Sequence, residues 1–204
     1  MRKTKEEALL TKKIIVSKAV KLFKQKGFIA TTLEEIAVEA NVTRGAIYWH
    51  FKDKLDIVDE LINKERENMT HMLTSIFEEG ISPYSKIQKA VDHIVKHFFG
   101  SESFRDFIDI TWFKIEYSQL SRLKESKAEM TDYFINTIEA LAKDAQTMGE
   151  IKKELDAFHI AITITNMING MYRLYFIMPG RGSTEKEAMD AFTTYLNLIK
   201  TNFK

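Results

Sequence analysis

Signals that begin and end helices recur at short intervals along this chain, and they constrain its fold more than any other feature. Thr32 and Thr184 are each followed three residues later by a glutamate, Glu35 and Glu187, which is the spacing of a capping box. Between such signals, apolar residues recur at helical spacing, and runs with the two-residue period of strands are missing. With only 2 Pro in 204 residues, few points interrupt regular structure. The pattern predicts an all-α protein.

The caps and the apolar spacing together place the predicted helices. They are expected at about residues 11–25, from 32, from 43, at 53–79, 82–100, 124–147 and 156–178, and from 184 onward. For the helix at 82–100, Ser82 is the expected cap and Pro83 the first helical residue. The segment 156–178 is apolar almost all round and is long enough to suggest a membrane span. However, Asn166, Asn169 and Arg173 are costly in lipid, so we expect no membrane association and a helix covered on several sides.

The charge of the chain is unevenly distributed. Residues 1–54 hold 12 Lys or Arg and 6 Asp or Glu, a balance of +6, whereas the remainder has a balance of −5. A basic N-terminal quarter on an acidic body suits one face that approaches a polyanion. The chain has no cysteine and no apolar signal segment near its N-terminus. We therefore expect a cytoplasmic protein without disulfides or a Cys-based metal site.

Residues 43–51 read Thr-Arg-Gly-Ala-Ile-Tyr-Trp-His-Phe, and residues 42–52 contain no Asp or Glu. If Ala46, Ile47 and Phe51 turn inward, the outer face consists of an arginine and the ring side chains of residues 48–50. Such a face is costly on a protein surface unless something binds there. The alternative is ordinary helix packing.

The neighbouring helix favours a binding surface. The helix from residue 32 and the helix capped by Thr43 are separated by a short break at Asn41-Val42, as in a helix-turn-helix whose second helix lies in the DNA major groove. We expect Arg44 to reach base edges or phosphate, and Gly45 to let the backbone approach the DNA closely.

Aromatic residues are concentrated between residues 98 and 117, where 7 of 20 are Phe, Trp or Tyr. This segment forms either ordinary core or the wall of an apolar cavity for a small hydrophobic ligand. Asn166 and Asn169 are expected to hydrogen-bond either that ligand or a partner across a dimer interface. The candidate ligand-binding residues are Phe98, Phe104, Phe107, Trp112, Phe113, Tyr117, Tyr133, Asn166 and Asn169.

The last two predicted helices have more apolar surface than one chain needs to cover. Two copies of each helix would form a four-helix homodimer interface. Its candidate residues are Ile164, Ile168, Met171, Tyr175, Phe192, Tyr195 and Ile199. We expect a helix-turn-helix DNA-binding domain at residues 1–53 and a helical ligand-binding and dimerisation domain at residues 54–204.

The N-terminal quarter resembles the tetracycline-repressor (TetR) family of bacterial transcription regulators. The resemblance rests on an ordered set of short matches: Gly27-Phe28, Thr31-Thr32, Ile36-Ala37, Ala40-Asn41-Val42, residues 43–51, and Lys52-Asp53-Lys54. Residues 43–51 are most similar to the branch of AcrR-like regulators of multidrug efflux.

The resemblance implies an all-helical homodimer with a ligand cavity in each body. It also implies two sets of DNA-contacting residues. Those expected to hold phosphates are Thr32, Thr43, Tyr48, His50 and Lys54. Those expected nearest the bases are Arg44, Gly45 and Trp49.

The sequence therefore predicts a ligand-responsive repressor of a near-palindromic double-stranded DNA operator, and the resemblance of residues 43–51 favours control of an efflux transporter. The alternative is a constitutive DNA-binding regulator whose C-terminal domain only dimerises. A third hypothesis is a metal site at His93 and His97, which are spaced i, i+4, although such pairs are more often surface or pocket residues. No nucleophile and base set is visible, so neither an enzyme nor a cofactor is expected.

Overall fold

The computed structural model describes residues 5–115, 117–180, 182 and 184–201, with the side chains of residues 117–120 left out. The described part is helical apart from turns and one isolated β-bridge between Ile151 and Lys200. Its helices are α1 (Lys5–Lys26), α2 (Leu33–Glu39), α3 (Arg44–His50), α4 (Lys54–Phe77), α5 (Pro83–Gly100), α6 (Glu102–Asp109), a π-helical turn (Ile110–Lys114), α7 (Tyr117–Thr147), α8 (Ala157–Ile177) and α9 (Glu185–Ile199). The all-α prediction is confirmed.

The predicted caps form because local hydrogen bonds decide where these helices begin. At the start of α2, the Glu35 amide donates to Thr32 Oγ1 at 3.2 Å and the Thr32 amide donates to Glu35 Oε2 at 2.8 Å. The same reciprocal capping box precedes α9, and Ser82 caps α5 with Pro83 in its first turn. These local predictions are confirmed.

Other helix boundaries were predicted less well. α1 begins at Lys5 rather than near residue 11, and α7 begins at Tyr117 rather than near residue 124. The sequence analysis predicted neither α6 nor the π-helical turn at Ile110–Lys114. Two of these starts carry capping signals that were overlooked. Thr4 and Glu7 have the spacing of a capping box, and before α6 the Phe104 amide donates to Ser101 Oγ at 3.2 Å.

The chain divides into two compact units. Unit 1 contains the residues up to Glu65 together with Arg105–Lys127, and unit 2 contains Arg66–Phe104 together with the chain from Ala128 onward. The chain passes between the units within α4, α6 and α7. The predicted domain boundary after residue 53 stays a prediction.

The core of unit 1 holds the helix-turn-helix together. Ile15 and Phe23 of α1, Ile36 of α2 and Ile47 of α3 are fully buried. The rings of Phe23 and Phe28 pack with their centroids 5.1 Å apart. The helices α1, α2 and α3 each contribute a large apolar side chain, so their shared core fixes the position of α3. This packing is needed because α3 is too short to be stable alone.

Polar contacts join the later part of unit 1 to the helix-turn-helix. Lys24 Nζ lies 2.8 Å from Asp106 Oδ1, and Lys114 Nζ donates to the Lys24 carbonyl at 3.3 Å. Arg122 of α7 pairs with both Asp53 and Asp56 at the start of α4. The first turns of α4 are therefore connected to the beginning of α7 by charge pairs.

Unit 2 is built on aromatic packing between α5 and α8. Phe98 is fully buried, and its ring centroid lies 4.8 Å from that of Tyr172 and 5.1 Å from that of Tyr175. Helix α9 packs on α5 through Phe192 and Leu196, both buried. The Phe98–Tyr175 pair is edge-to-face and the Phe98–Tyr172 pair is tilted, and such ring pairs add to the stabilisation from buried apolar area.

Candidate nucleic-acid interface

The turn between α2 and α3 has a defined backbone conformation. Asn41 adopts a φ of 52°, in the left-handed region that asparagine tolerates better than most residues. The Val42 amide donates to the Ala37 carbonyl at 2.9 Å, which closes the turn. Thr43 then caps α3 by accepting a hydrogen bond from the Ala46 amide at 3.2 Å. These local bonds fix the direction in which α3 leaves α2.

Helix α3 faces the core on one side only. Ile47 is fully buried, and the following Phe51 is 3% exposed. On the opposite side Trp49 is 74% exposed and Tyr48 is 43% exposed. The arginine side chain at position 44 is 74% exposed. The predicted outer face is therefore exposed, and two large rings lie in solvent beside a cation.

His50 is the least exposed member of this face. It is half-buried, and its ring meets that of Trp49 edge-on with the centroids 4.5 Å apart. A second ring, that of Phe51, lies 6.2 Å away. The histidine therefore supports the indole from one side, which restricts the indole's orientation.

Nothing in the protein requires a glycine at position 45. Its φ is not positive, and an added Cβ would approach only Thr43 Oγ1, at 4.0 Å. An interior helical glycine costs about 0.5–1 kcal/mol relative to alanine. Gly45 is exposed, so the absence of a side chain keeps the outer surface of α3 open for a close approach from outside.

Glu34 is a residue of this surface that the sequence analysis missed. Tyr48 Oη donates to Glu34 Oε1 at 2.9 Å, and Arg44 Nη2 lies 3.1 Å from the same oxygen. The Arg44 guanidinium also lies 5.6 Å from the centroid of the Tyr48 ring. One carboxylate of α2 thus joins two of the predicted DNA contacts of α3. The signal available was a second acidic residue in the first turn of α2, beside the capping Glu35 and just before a basic, aromatic helix.

The hydroxyls of Thr32 and Thr43 are engaged as helix caps, so a phosphate would have to share them. Beside Thr32, Glu35 pairs with Lys26. This lysine, followed by the Thr32 amide and hydroxyl, lowers the pKa of Glu35 to about 2. The carboxylate is therefore ionised throughout the neutral range, and it fixes the start of α2 against the end of α1.

Lys54 has partners that the sequence did not indicate. Its Nζ donates to the Phe28 carbonyl at 2.6 Å and to the Ile29 carbonyl at 3.0 Å, and it lies 4.7 Å from the Phe28 ring centroid. Desolvation is the main cause that lowers the pKa of this lysine. Because an ammonium group has three donors, one remains for a phosphate.

The predicted ligand-binding residues fall in both units. In unit 1, Phe107 is 3% exposed, whereas Trp112 and Phe113 are 45% and 41% exposed. Lys127 donates to the Thr111 carbonyl at 2.5 Å and lies 5.7 Å from the Trp112 ring centroid. The side chain of Tyr117 lies outside the described residues.

In unit 2, Phe98 and Phe104 belong to the aromatic packing, since the Phe104 ring lies 6.4 Å from that of Phe98 and 4.5 Å from that of His97. Tyr133 instead lines an open groove of about 470 Å³ between α4 and α7, together with Phe77. Their roles as ligand walls stay a prediction.

The two asparagines of α8 differ in exposure. Asn166 is exposed and Asn169 is half-buried. The seven residues predicted for the dimer interface also differ. Tyr175 and Tyr195 are half-buried, but five are buried within this single chain: Ile164, Ile168, Met171, Phe192 and Ile199. Those five belong to the chain's own core, because α8 is apolar all round and its sequence does not reveal which face points outward.

His93 and His97 stack with ring centroids 6.2 Å apart. Among the described residues, no group of three or more His, Cys, Asp or Glu is arranged to hold a metal ion. In the same part of the chain, no helix is both long and apolar enough to cross a bilayer.

Two family models match the chain. The model of bacterial regulatory proteins of the tetR family matches residues 15–61, and the model of the MAATS-type transcriptional repressor C-terminal region matches residues 82–201. The transcriptional regulator AcrR of Shigella flexneri is 29% identical over 199 residues, which cover 97% of this chain and 93% of that protein.

Solved structures share the fold. NalD, the secondary repressor of the MexAB-OprM multidrug efflux pump of Pseudomonas aeruginosa, has a TM-score of 0.83 at 22% identity, covering 97% of this chain and 100% of its own. A complex of triclosan with SmeT, the Stenotrophomonas maltophilia repressor of the SmeDEF pump, has a TM-score of 0.83 at 19% identity, covering 95% and 93%.

A helix-turn-helix with an exposed basic and aromatic second helix defines a DNA-binding protein. The chain belongs to the TetR family of bacterial transcription regulators. It is a DNA-binding regulator of transcription and not an enzyme, as the sequence predicted.

Proposed function

We propose that the protein is a homodimeric repressor that binds a near-palindromic operator and is released by a small hydrophobic ligand. The observation that carries the proposal is the outer face of α3, where Trp49 is 74% exposed beside an exposed arginine. In the proposed complex, two copies of α3 enter successive major grooves about 34–36 Å apart.

In this proposal, the residues of the surface divide into two roles. Arg44, Gly45 and Trp49 lie nearest the bases, where the guanidinium can donate to guanine and the glycine allows close approach. The phosphate contacts are proposed to come from Thr32, Thr43, Tyr48, His50 and Lys54. Phosphate contacts position the protein without reading sequence, so they should make binding strongly dependent on salt.

Ligand control is supported by the relatives. A protein of the same fold binds triclosan, and relatives of this chain regulate multidrug efflux pumps. We propose that an apolar ligand is held by the aromatic residues of the segment 98–117 with Tyr133, Asn166 and Asn169. A coupling free energy of about 1–3 kcal/mol between ligand and DNA would lower operator affinity about 5–150-fold. The regulated gene is proposed to encode an efflux transporter.

Dimerisation is proposed to use the outward faces of α8 and α9. Exposed apolar side chains remain there in the single chain, including Phe158, Ile177 and Leu198. Covering them with a second copy would remove apolar surface from water and would form a four-helix interface. We also propose a cytoplasmic location, because the protein has to reach its operator.

Two measurements test the proposed ligand-responsive repression. A duplex is first selected from a randomised library with the purified protein, and its affinity is measured by fluorescence anisotropy at several salt concentrations. Dyes, bile acids, flavonoids and fatty acyl compounds are then screened for thermal stabilisation of the protein and for release of that duplex. We expect at least one compound to do both. Tight duplex binding without any such compound would instead favour a constitutive regulator whose C-terminal domain only dimerises.

A further inference from the structure

We propose that Glu34 is an internal competitor of DNA, because its carboxylate binds Arg44 and Tyr48, two side chains that DNA has to engage in the complex. The inference rests on the proposed contact between α3 and DNA. It adds that the free protein carries an internal partner for these two side chains, which every duplex has to displace.

In the free protein, the Glu34 carboxylate already occupies a position where Tyr48 and Arg44 could bind another anion. Both the Tyr48 hydroxyl, at 2.9 Å, and the Arg44 guanidinium, at 3.1 Å, reach the single oxygen Oε1 of Glu34. A phosphate oxygen accepts hydrogen bonds from the same two kinds of donor. The guanidinium also lies against the Tyr48 ring, which keeps the two donors side by side.

The carboxylate stays charged under the conditions in which regulators bind DNA. The pKa of Glu34 is lowered chiefly by its own backbone amide and then by the Tyr48 hydroxyl. A negative charge therefore stays next to the surface that approaches the phosphates. It opposes every duplex through repulsion, and Arg44 must leave it before the guanidinium can reach a base or a phosphate.

This arrangement lowers the affinity for DNA of any sequence. Non-specific affinity comes almost entirely from neutralised phosphates, so a fixed carboxylate among the contacts weakens it. Base contacts made by the freed guanidinium on the operator form with or without Glu34, so they do not remove the cost of leaving the carboxylate. Glu34 therefore lowers the affinity for both kinds of duplex.

The test compares Glu34→Gln with the wild type on two duplexes. One is the duplex selected by the wild-type protein, and the other has the same length and base composition in scrambled order. We expect the variant to bind both duplexes more tightly, by about tenfold each. We also expect a steeper dependence of log affinity on log salt, by about one per protomer, because Arg44 no longer leaves an internal partner.

Glu39→Gln is the matched control. Glu39 is another glutamate of α2 and its removal changes the net charge equally, but it pairs with Lys21 at 2.7 Å and Lys18 at 3.6 Å on α1. We expect it to leave both affinities within about twofold of the wild-type values. Thermal melting and circular dichroism of both variants verify the fold.

The possible outcomes are distinguishable. If the wild type binds no duplex at low salt, the proposed function itself fails. If the wild type binds but Glu34→Gln keeps the wild-type affinities and salt slope, the role of Glu34 is overturned and the proposed function stands. An equal change in Glu39→Gln would show that net charge alone acts, which also overturns it.

Discussion

At the scale of single residues, Gly45 is a glycine that no contact among the described residues requires. We expect Gly45→Ala to raise the free energy of unfolding by about 0.5–1 kcal/mol, since alanine restricts the unfolded chain and nothing obstructs its Cβ. The same methyl group would stand on the exposed side of α3, so DNA affinity should fall at least about tenfold, the effect of about 1.4 kcal/mol. Urea denaturation and fluorescence anisotropy measure the two changes.

Gly100→Ala is the control for this substitution. Gly100 is also an exposed helical glycine with open space around its Cβ, but it lies in α5. It should leave DNA affinity unchanged. If Gly45→Ala binds DNA as the wild type does, α3 does not approach DNA through this position.

Lys54 is expected to contribute to stability and to DNA binding at once. Lys54→Met removes the hydrogen bonds to the Phe28 and Ile29 carbonyls, which should lower the free energy of unfolding by about 1–3 kcal/mol. DNA affinity should also fall, through the lost charge. Lys52 is exposed, so Lys52→Met should weaken DNA binding without lowering the free energy of unfolding. Equal stability of the two variants would assign Lys54 to phosphate binding alone.

The exposure of single residues on α3 was predictable from the sequence, but the contacts of Lys54 and Glu34 were not. That Tyr48, Trp49 and Arg44 are exposed followed from helical spacing. The carbonyls that Lys54 contacts lie 26 and 25 residues away along the chain, and Glu34 lies 14 residues from Tyr48. Contacts at these separations depend on how the helices pack, which local spacing does not encode.

At the scale of elements, the start of α2 is expected to give the protein a defined acid sensitivity. The pKa of Glu35 is about 2 in the folded protein against an ordinary value of 4.5, mainly because of Lys26. A lowered pKa stabilises the folded state above the ordinary value, and this stabilisation is lost as the pH falls from about 4.5 towards 2. Glu35→Gln should therefore be less stable than the wild type at pH 7, and the difference should shrink in acid.

Urea denaturation between pH 7 and pH 3 measures that difference. Glu39→Gln is again informative, since the pKa of Glu39 is also lowered, mainly by Lys21, but its carboxylate does not cap a helix. We expect a smaller loss for it at pH 7. A constant difference between wild type and Glu35→Gln across the range would contradict the proposed role of the ion pair.

The elements themselves were predictable where a local hydrogen bond begins them. Thr32, Thr43, Ser82 and Thr184 all cap the helices expected of them, because a cap depends on residues only three positions apart. The π-helical turn at Ile110–Lys114 was not predictable in this way. Its wider hydrogen bonding has no composition signal and depends on packing.

At the scale of the whole molecule, the dimer is the property most open to test. Leu198 is 64% exposed on α9. We expect Leu198→Glu to give a folded monomer, since a buried unpaired carboxylate opposes association. Sedimentation velocity reports the mass, and binding to a duplex with two half-sites should weaken more than binding to one half-site.

Leu10→Glu is the control, because Leu10 is 60% exposed but lies on α1. It should stay dimeric. A charged residue at Ile168 should behave differently from either, since that side chain is 6% exposed in the single chain and its change should unfold the protein. If Leu198→Glu keeps the mass of the wild type, α9 does not form the interface through this face.

The exposure of Trp49 also gives the protein an optical signal of its own. The chain contains only 2 Trp, and the other, at position 112, is 45% exposed. Replacing Trp112 with Phe leaves Trp49 as the only tryptophan fluorophore. Its emission wavelength and intensity should change when the indole moves from water to the surface of a duplex. Operator docking and inducer release can then be followed in real time without any attached dye.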